Sequence, residues 1–104
     1  MQSKDKALWN VDFSHRTDKN KDKLPTAIQD QLAVLVKEIT LLGPYRINWK
    51  NYGPLKKGPG IPDNAHHCHL KKGRPTYVAC WRIVNKIDKR VEVFYVGSHE
   101  NSPY

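Results

Sequence analysis

The chain has 104 residues, enough for one domain around one compact core, and residues 1–104 are read as that single domain. Eighteen Lys and Arg against ten Asp and Glu leave a formal charge of +8, so the expected partner is anionic, such as nucleic acid or an acidic protein. No apolar stretch is long enough to cross a bilayer and MQSKDKALW lacks the apolar core of a signal peptide, so a cytoplasmic protein with no membrane partner and two reduced cysteines, Cys68 and Cys80, is expected.

Residues Leu8 to Phe13 alternate, with Trp9, Val11 and Phe13 on one side, which predicts a short half-buried strand. The polar run Ser14 to Lys23 fits either a solvated helix or a loop. A helix follows. Pro25 suits its entrance, and Thr26 and Gln29 have the spacing of a capping box. Ile28, Leu32, Leu35, Ile39 and Leu42, with Val36 beside them, form one apolar stripe that Gly43-Pro44 ends. Tyr45 to Ala65 is irregular and interleaves aromatics with lysines in NWKNYGPLKKG; Trp49 and Tyr52 there are read as loop anchors. Three strands are predicted after it: His66 to Leu70, Thr76 to Asn85 and Val91 to Val96, the last two joined by a turn at Lys86 to Arg90.

Successive strands with short connections pair antiparallel, and one long helical stripe needs a sheet face to cover. The fold class is therefore α+β: a small antiparallel sheet of about four strands, with one or two N-terminal helices on one face. Tyr77, Ala79, Trp81 and Ile83 are assigned to the covered face. Val78, Cys80, Arg82 and Val84 then look outward on the open one.

Chemistry-bearing residues gather in HHCHLKKGR, in the first LKKG and in the terminal GSHENSPY. A zinc site in the first is disfavoured. His67 and His69 face one way on a strand and Cys68 the other, so only two ligands converge, and no metal or other cofactor is expected. Cleaving RNA through its own 2′-hydroxyl needs a base, an acid and cations around the phosphate. Histidine serves as either near neutral pH, and Lys and Arg bring charge. His67, His69, Lys71, Lys72, Arg74, Arg82, His99 and Tyr104 supply these types in the sheet and tail.

These segments resemble the RelE/ParE superfamily of type II toxin–antitoxin toxins, from about Leu24 to Tyr104. DKLPTAIQDQLAVLVKEITLLGP is similar to the second helix of these toxins, and HCHLKKGRPTYVACWRIVNKIDKRVEVFYVGSHENSPY to their last three strands. RelE-type toxins close the final strand with Val-Gly, then a basic residue and a tyrosine that act in mRNA cleavage. His99 and Tyr104 hold those positions here. His67 and His69 stand where RelE carries a lysine pair. A further RelE arginine aligns with Val78; Arg82, about 13 Å along the same strand face, and Arg74 are the substitutes.

The resemblance implies a ribosome-dependent, metal-independent mRNA endonuclease that inhibits translation and is silenced by a cognate antitoxin. Its partners would be that antitoxin, the ribosome and mRNA. His99 and Tyr104 would serve proton transfer and base stacking, with His67, His69 and Arg82 holding the phosphate. Lys56, Lys57, Lys71, Lys72 and Arg74 would bind RNA. The alternatives are a ParE-type gyrase poison, in which this His…Tyr ending is not expected, and a non-catalytic RNA binder.

Overall fold

The computed structural model describes residues 8–104. Five strands form one sheet in the order β1-β5-β4-β3-β2. They are β1 (Asn10–Phe13), β2 (Gly53–Leu55), β3 (Ala65–Lys71), β4 (Tyr77–Asn85) and β5 (Arg90–Ser98). The three later strands pair antiparallel, as their short connections require, and β2 joins β3 in the same sense. β1 runs parallel to β5. The helices α1 (His15–Asn20) and α2 (Thr26–Leu42) lie between β1 and β2 in the chain. The fold is α+β, as expected. The extra strand, β2, comes from the irregular segment, where three residues with a central proline give too short a pattern to read. Pro54 is tolerated there because β2 is an edge strand.

The polar run after β1 is helical. Ser14 caps α1: its Oγ accepts from the Thr17 N–H at 3.2 Å and donates to Thr17 Oγ1 at 2.8 Å, and Thr17 is buried. A 3₁₀ turn, Lys21–Lys23, leads to α2. The capping box does not form, because Pro25 takes the N-cap position and moves Thr26 inside the helix. Gln29 instead donates its side-chain N–H to the carbonyls of Leu24 at 2.8 Å and Asp22 at 3.1 Å, tying the 3₁₀ turn to the helix.

The stripe of α2 buries Ile28, Leu32, Leu35 and Ile39 against Cys68, Leu70, Ala79, Trp81, Val91, Val93 and Val96 of the sheet. Leu42, predicted to belong to it, is 67% exposed: it is the last residue of α2, where Gly43 turns the chain away at φ +99°. Trp81 is fully buried, and its indole N–H donates to the Pro44 carbonyl at 3.1 Å. Truncating it to alanine would cost about 3–5 kcal/mol.

One carboxylate holds the loop that follows α2. Glu38 Oε1 accepts from Trp49 Nε1 at 2.8 Å, Asn48 Nδ2 at 2.9 Å and Arg46 Nη1 at 3.2 Å. The bonds from Asn48 and Trp49, with Arg46, hold its carboxyl below the usual range. Tyr52 meets Nδ1 of the buried His66 at 2.9 Å. Trp49 and Tyr52 are thus loop anchors, and they seat β2 beside β3.

Candidate functional site

Directly paired residues share a face, so the register sorts the uncovered side of the sheet into rows. One row holds His69, Val78 and Gly97. The next holds Gly53, His67, Cys80 and Tyr95. A third holds Leu55, Ala65, Arg82, Glu92 and Asp12. Cys68 pairs with Ala79 on the α2 side, so the two cysteines lie on opposite faces, and both are free thiols.

Val78 and Cys80 were expected to look outward, but both are fully buried. The reason is the tail. After β5 the chain makes two successive tight turns and folds back onto this face. His99 N–H donates to the Thr76 carbonyl at 2.7 Å. Asn101 N–H donates to Ser98 O at 3.3 Å and Ser102 N–H to His99 O at 3.1 Å. Ser102 Oγ adds a bond to His99 O at 2.7 Å. The ring of Tyr104 then lies 4.4 Å from that of His67, centroid to centroid.

His99 closes the cluster. Its ring sits edge-on to Tyr104 at 5.1 Å and to His69 at 5.7 Å. His67, His69, His99 and Tyr104 therefore meet on one face, although two come from β3 and two from the tail some thirty residues later. Burial lowers the pKa of His67, and the neighbouring His69 and His99 add to this. Burial also lowers that of His69, helped by His99, Lys50 and Lys72. Both imidazoles are thus predominantly neutral at pH 7 and able to accept a proton. His99 is exposed at the rim. Burial raises the Tyr104 phenol, and the Cys80 thiol beneath adds to the rise, so the phenol keeps its proton. Its oxygen is buried without a hydrogen-bond partner, as is Nδ1 of His67.

A cleft of about 770 Å³ opens beside the histidines, lined by His69, Gly73, Arg74, Pro75, Thr76, His99 and Glu100. Arg74 thus borders the same space as the two imidazoles. Lys71 ends β3 and Lys72 stands beside Arg74 in the β3–β4 hairpin, both exposed. Lys56 and Lys57 follow β2, also exposed, and Lys57 lies 3.5 Å from Asp63. Arg82 shares the face but not the cluster. It lies one row beyond His67, away from His69 and His99, and its Nε donates to Glu92 at 2.9 Å.

Sequence reasoning missed Thr76, Tyr95, Gly97 and Ser102. An irregularity in the β4–β5 register at Phe94 hides Tyr95. Strict alternation from Val91 and Val93 would carry Tyr95 to the α2 side, whereas the extra residue turns it to the site and gives Val96 to the core. No local sequence signal marks that bulge.

No protein-family profile matches the chain, and no curated protein matches it by sequence. Solved structures do. A mutant of E. coli toxin RelE in the free state superposes with a TM-score of 0.64 at 22% identity, over 91% of this chain and 87% of that one. The archaeal RelE–RelB complex from Pyrococcus horikoshii OT3 gives 0.60 at 13% identity, over 91% and 99%. The intact E. coli RelBE toxin–antitoxin complex gives 0.56 at 25% identity, over 89% and 99%. With two helices, a five-stranded open sheet and a returning tail, this chain has the fold of the RelE toxins.

Proposed function

We propose that the protein is a toxin that cleaves messenger RNA on the ribosome and is held silent by a cognate antitoxin. The supporting observation is the meeting of His67, His69, His99 and Tyr104 on one sheet face beside an open, arginine-bordered cleft. In this reading a phosphodiester enters the cleft and lies between His69 and His99. Neutral His69 takes the proton from the ribose 2′-hydroxyl. The 2′ oxygen bonds to phosphorus as the bond from phosphorus to the 5′ oxygen breaks, and His99 gives a proton to that oxygen. The products are a 2′,3′-cyclic phosphate and a free 5′-hydroxyl. Arg74 faces the phosphate oxygens with its planar fork.

Tyr104 contributes its ring. It packs on His67 and backs His99, and with His69 and His99 carrying both proton transfers its phenol is assigned none. Arg82, engaged by Glu92, is placed for a neighbouring phosphate rather than the scissile one. Lys56, Lys57, Lys71 and Lys72 meet the phosphates of message and ribosomal RNA, fixing register without reading sequence. The antitoxin presents an acidic segment to the same basic surface, in line with the formal charge of +8.

Induced expression in bacteria with mapping of mRNA 5′ ends on ribosomes tests this. Wild type should produce breaks within ribosome-bound message. His99→Ala, at an exposed position, should fold normally and lose cleavage by about 10²-fold or more. Growth arrest with intact message rejects the reading, and DNA-damage signalling in its place points to gyrase.

A further inference from the structure

We infer that Tyr95 is a positioning residue: its phenol, seated in space left by Gly97, braces the Ser98 carbonyl and through it the turn that presents His99 and Tyr104. Its kinetic consequence rests on the nuclease reading above, but the brace itself does not.

Tyr95 reaches the site face because of the bulge at Phe94, and it stands across from Cys80 in the row of His67. A tyrosine there could point its hydroxyl to water. Instead the side chain lies back along its own strand, and Oη donates to the Ser98 carbonyl at 2.7 Å. Gly97 makes this possible. A Cβ at residue 97 would lie 2.7 Å from Tyr95 Oη and 3.1 Å from Cζ, closer than real contacts allow. Gly97 is not among the glycines with positive φ, which are Gly43, Gly60 and Gly73, so its backbone would accept any residue. The close approach of the Tyr95 phenol is what requires glycine.

The braced carbonyl is the hinge of the tail. Ser98 O also accepts from Asn101 N–H, closing the first turn, and His99 is the next residue. Beyond His99, residues 100 to 104 hydrogen-bond only to one another and to Ser98 and His99, among the described residues. Two backbone bonds tie the tail to the sheet, His99 N–H to Thr76 O and Asn101 N–H to Ser98 O, and both survive any substitution here. Within β5, Tyr95 Oη holds the Ser98 carbonyl that receives the second, a side-chain contribution at the point where the His99 imidazole leaves the strand. Two catalytic groups from different segments tolerate little misplacement, since about 1 Å of error can cost on the order of 100-fold.

The test uses Tyr95→Phe, which removes only Oη, Gly97→Ala, which pushes a methyl onto it, and the double variant. Two readouts run together: proton NMR cross-peaks between the rings of His99 and Tyr104, and kcat and KM for cleavage of ribosome-bound message. Tyr95→Phe should weaken the cross-peaks and lower kcat about 10-fold, with KM held within about twofold. Gly97→Ala should do the same alone, yet add less than about twofold to Tyr95→Phe, because the untethered ring can turn aside. Unchanged cross-peaks and kcat in Tyr95→Phe overturn the brace, and so do strictly additive effects. If wild type leaves message intact, the nuclease reading fails by itself, and the cross-peaks alone decide the brace.

Discussion

Replacing Tyr104 by phenylalanine should stabilise the protein, although it removes a polar group from the site. The phenol oxygen is buried and has no hydrogen-bond partner, while the ring packs on His67 at 4.4 Å and against His99 at 5.1 Å. A buried hydroxyl without a partner costs about 1–3 kcal/mol. Tyr104→Phe removes that cost and keeps the ring contacts. Because Tyr104 is only partly buried as a residue, the lower end applies, a gain of about 1 kcal/mol. For a domain of this size that raises Tm by about 4–6 °C. Tyr104→Ala should move the other way by about 1–2 kcal/mol, having lost a ring that is only partly buried. Differential scanning calorimetry, with urea titration as a second measure, resolves both shifts. A lower Tm in Tyr104→Phe would mean that the phenol makes a bond in solution, and the packing argument would be wrong. The same variant separates packing from chemistry. With both transfers assigned to His69 and His99, the phenol is not needed for them, so Tyr104→Phe should still cleave message. A loss as deep as that of His99→Ala would assign the hydroxyl to the reaction.

Other expectations concern the surroundings of the cluster. Burial lowers the pKa of His66, His67 and His69, so the unfolded chain binds protons near the ordinary value of about 6.5 while the folded chain resists them. Their contribution to stability is therefore complete above about pH 6.5 and is lost as pH falls from there through the lower folded values. The urea midpoint should drop between pH 7.5 and 5.5; a flat or rising midpoint rejects this. Arg82→Ala breaks a half-exposed pair with Glu92, costs about 0.5 kcal/mol, and should leave cleavage within about threefold. A deficit approaching that of His99→Ala would move Arg82 to the scissile phosphate. Glu38→Ala strands three donors, on Arg46, Asn48 and Trp49, and should cost about 2 kcal/mol by chemical denaturation. A cost below about 0.5 kcal/mol would show that the loop stands without it.

The elements with strong periodic patterns were legible from the residues. The stripe Ile28, Leu32, Leu35, Ile39 and the alternation through Tyr77, Ala79, Trp81 and Ile83 locate α2, β4 and the core between them, because burial of one face imposes a period. The placement of His67 and His69 on the face away from Cys68 followed from the same rule. What escaped had no period to read. β2 is three residues long with a proline at its centre, and its pairing depends on a loop held by Glu38. The parallel partnership of β1 with β5 is a matter of tertiary packing alone. Burial of Val78 and Cys80 depends on a tail whose return is set by two turns and one phenol. Arg82 stands outside the cluster because of its position on β4, one row beyond His67, where Glu92 is its cross-strand neighbour.

Asn10 pairs with Arg90, about eighty residues later in the chain, so the first described strand has no neighbour until the last one exists. His99 and Tyr104 follow directly on that last strand. During synthesis, a copy that has not yet produced β5 has an open sheet margin, an unfinished hydrophobic interior and half of its histidine cluster. Under the nuclease reading proposed above, such a copy has no complete cluster with which to cut the message it is being read from.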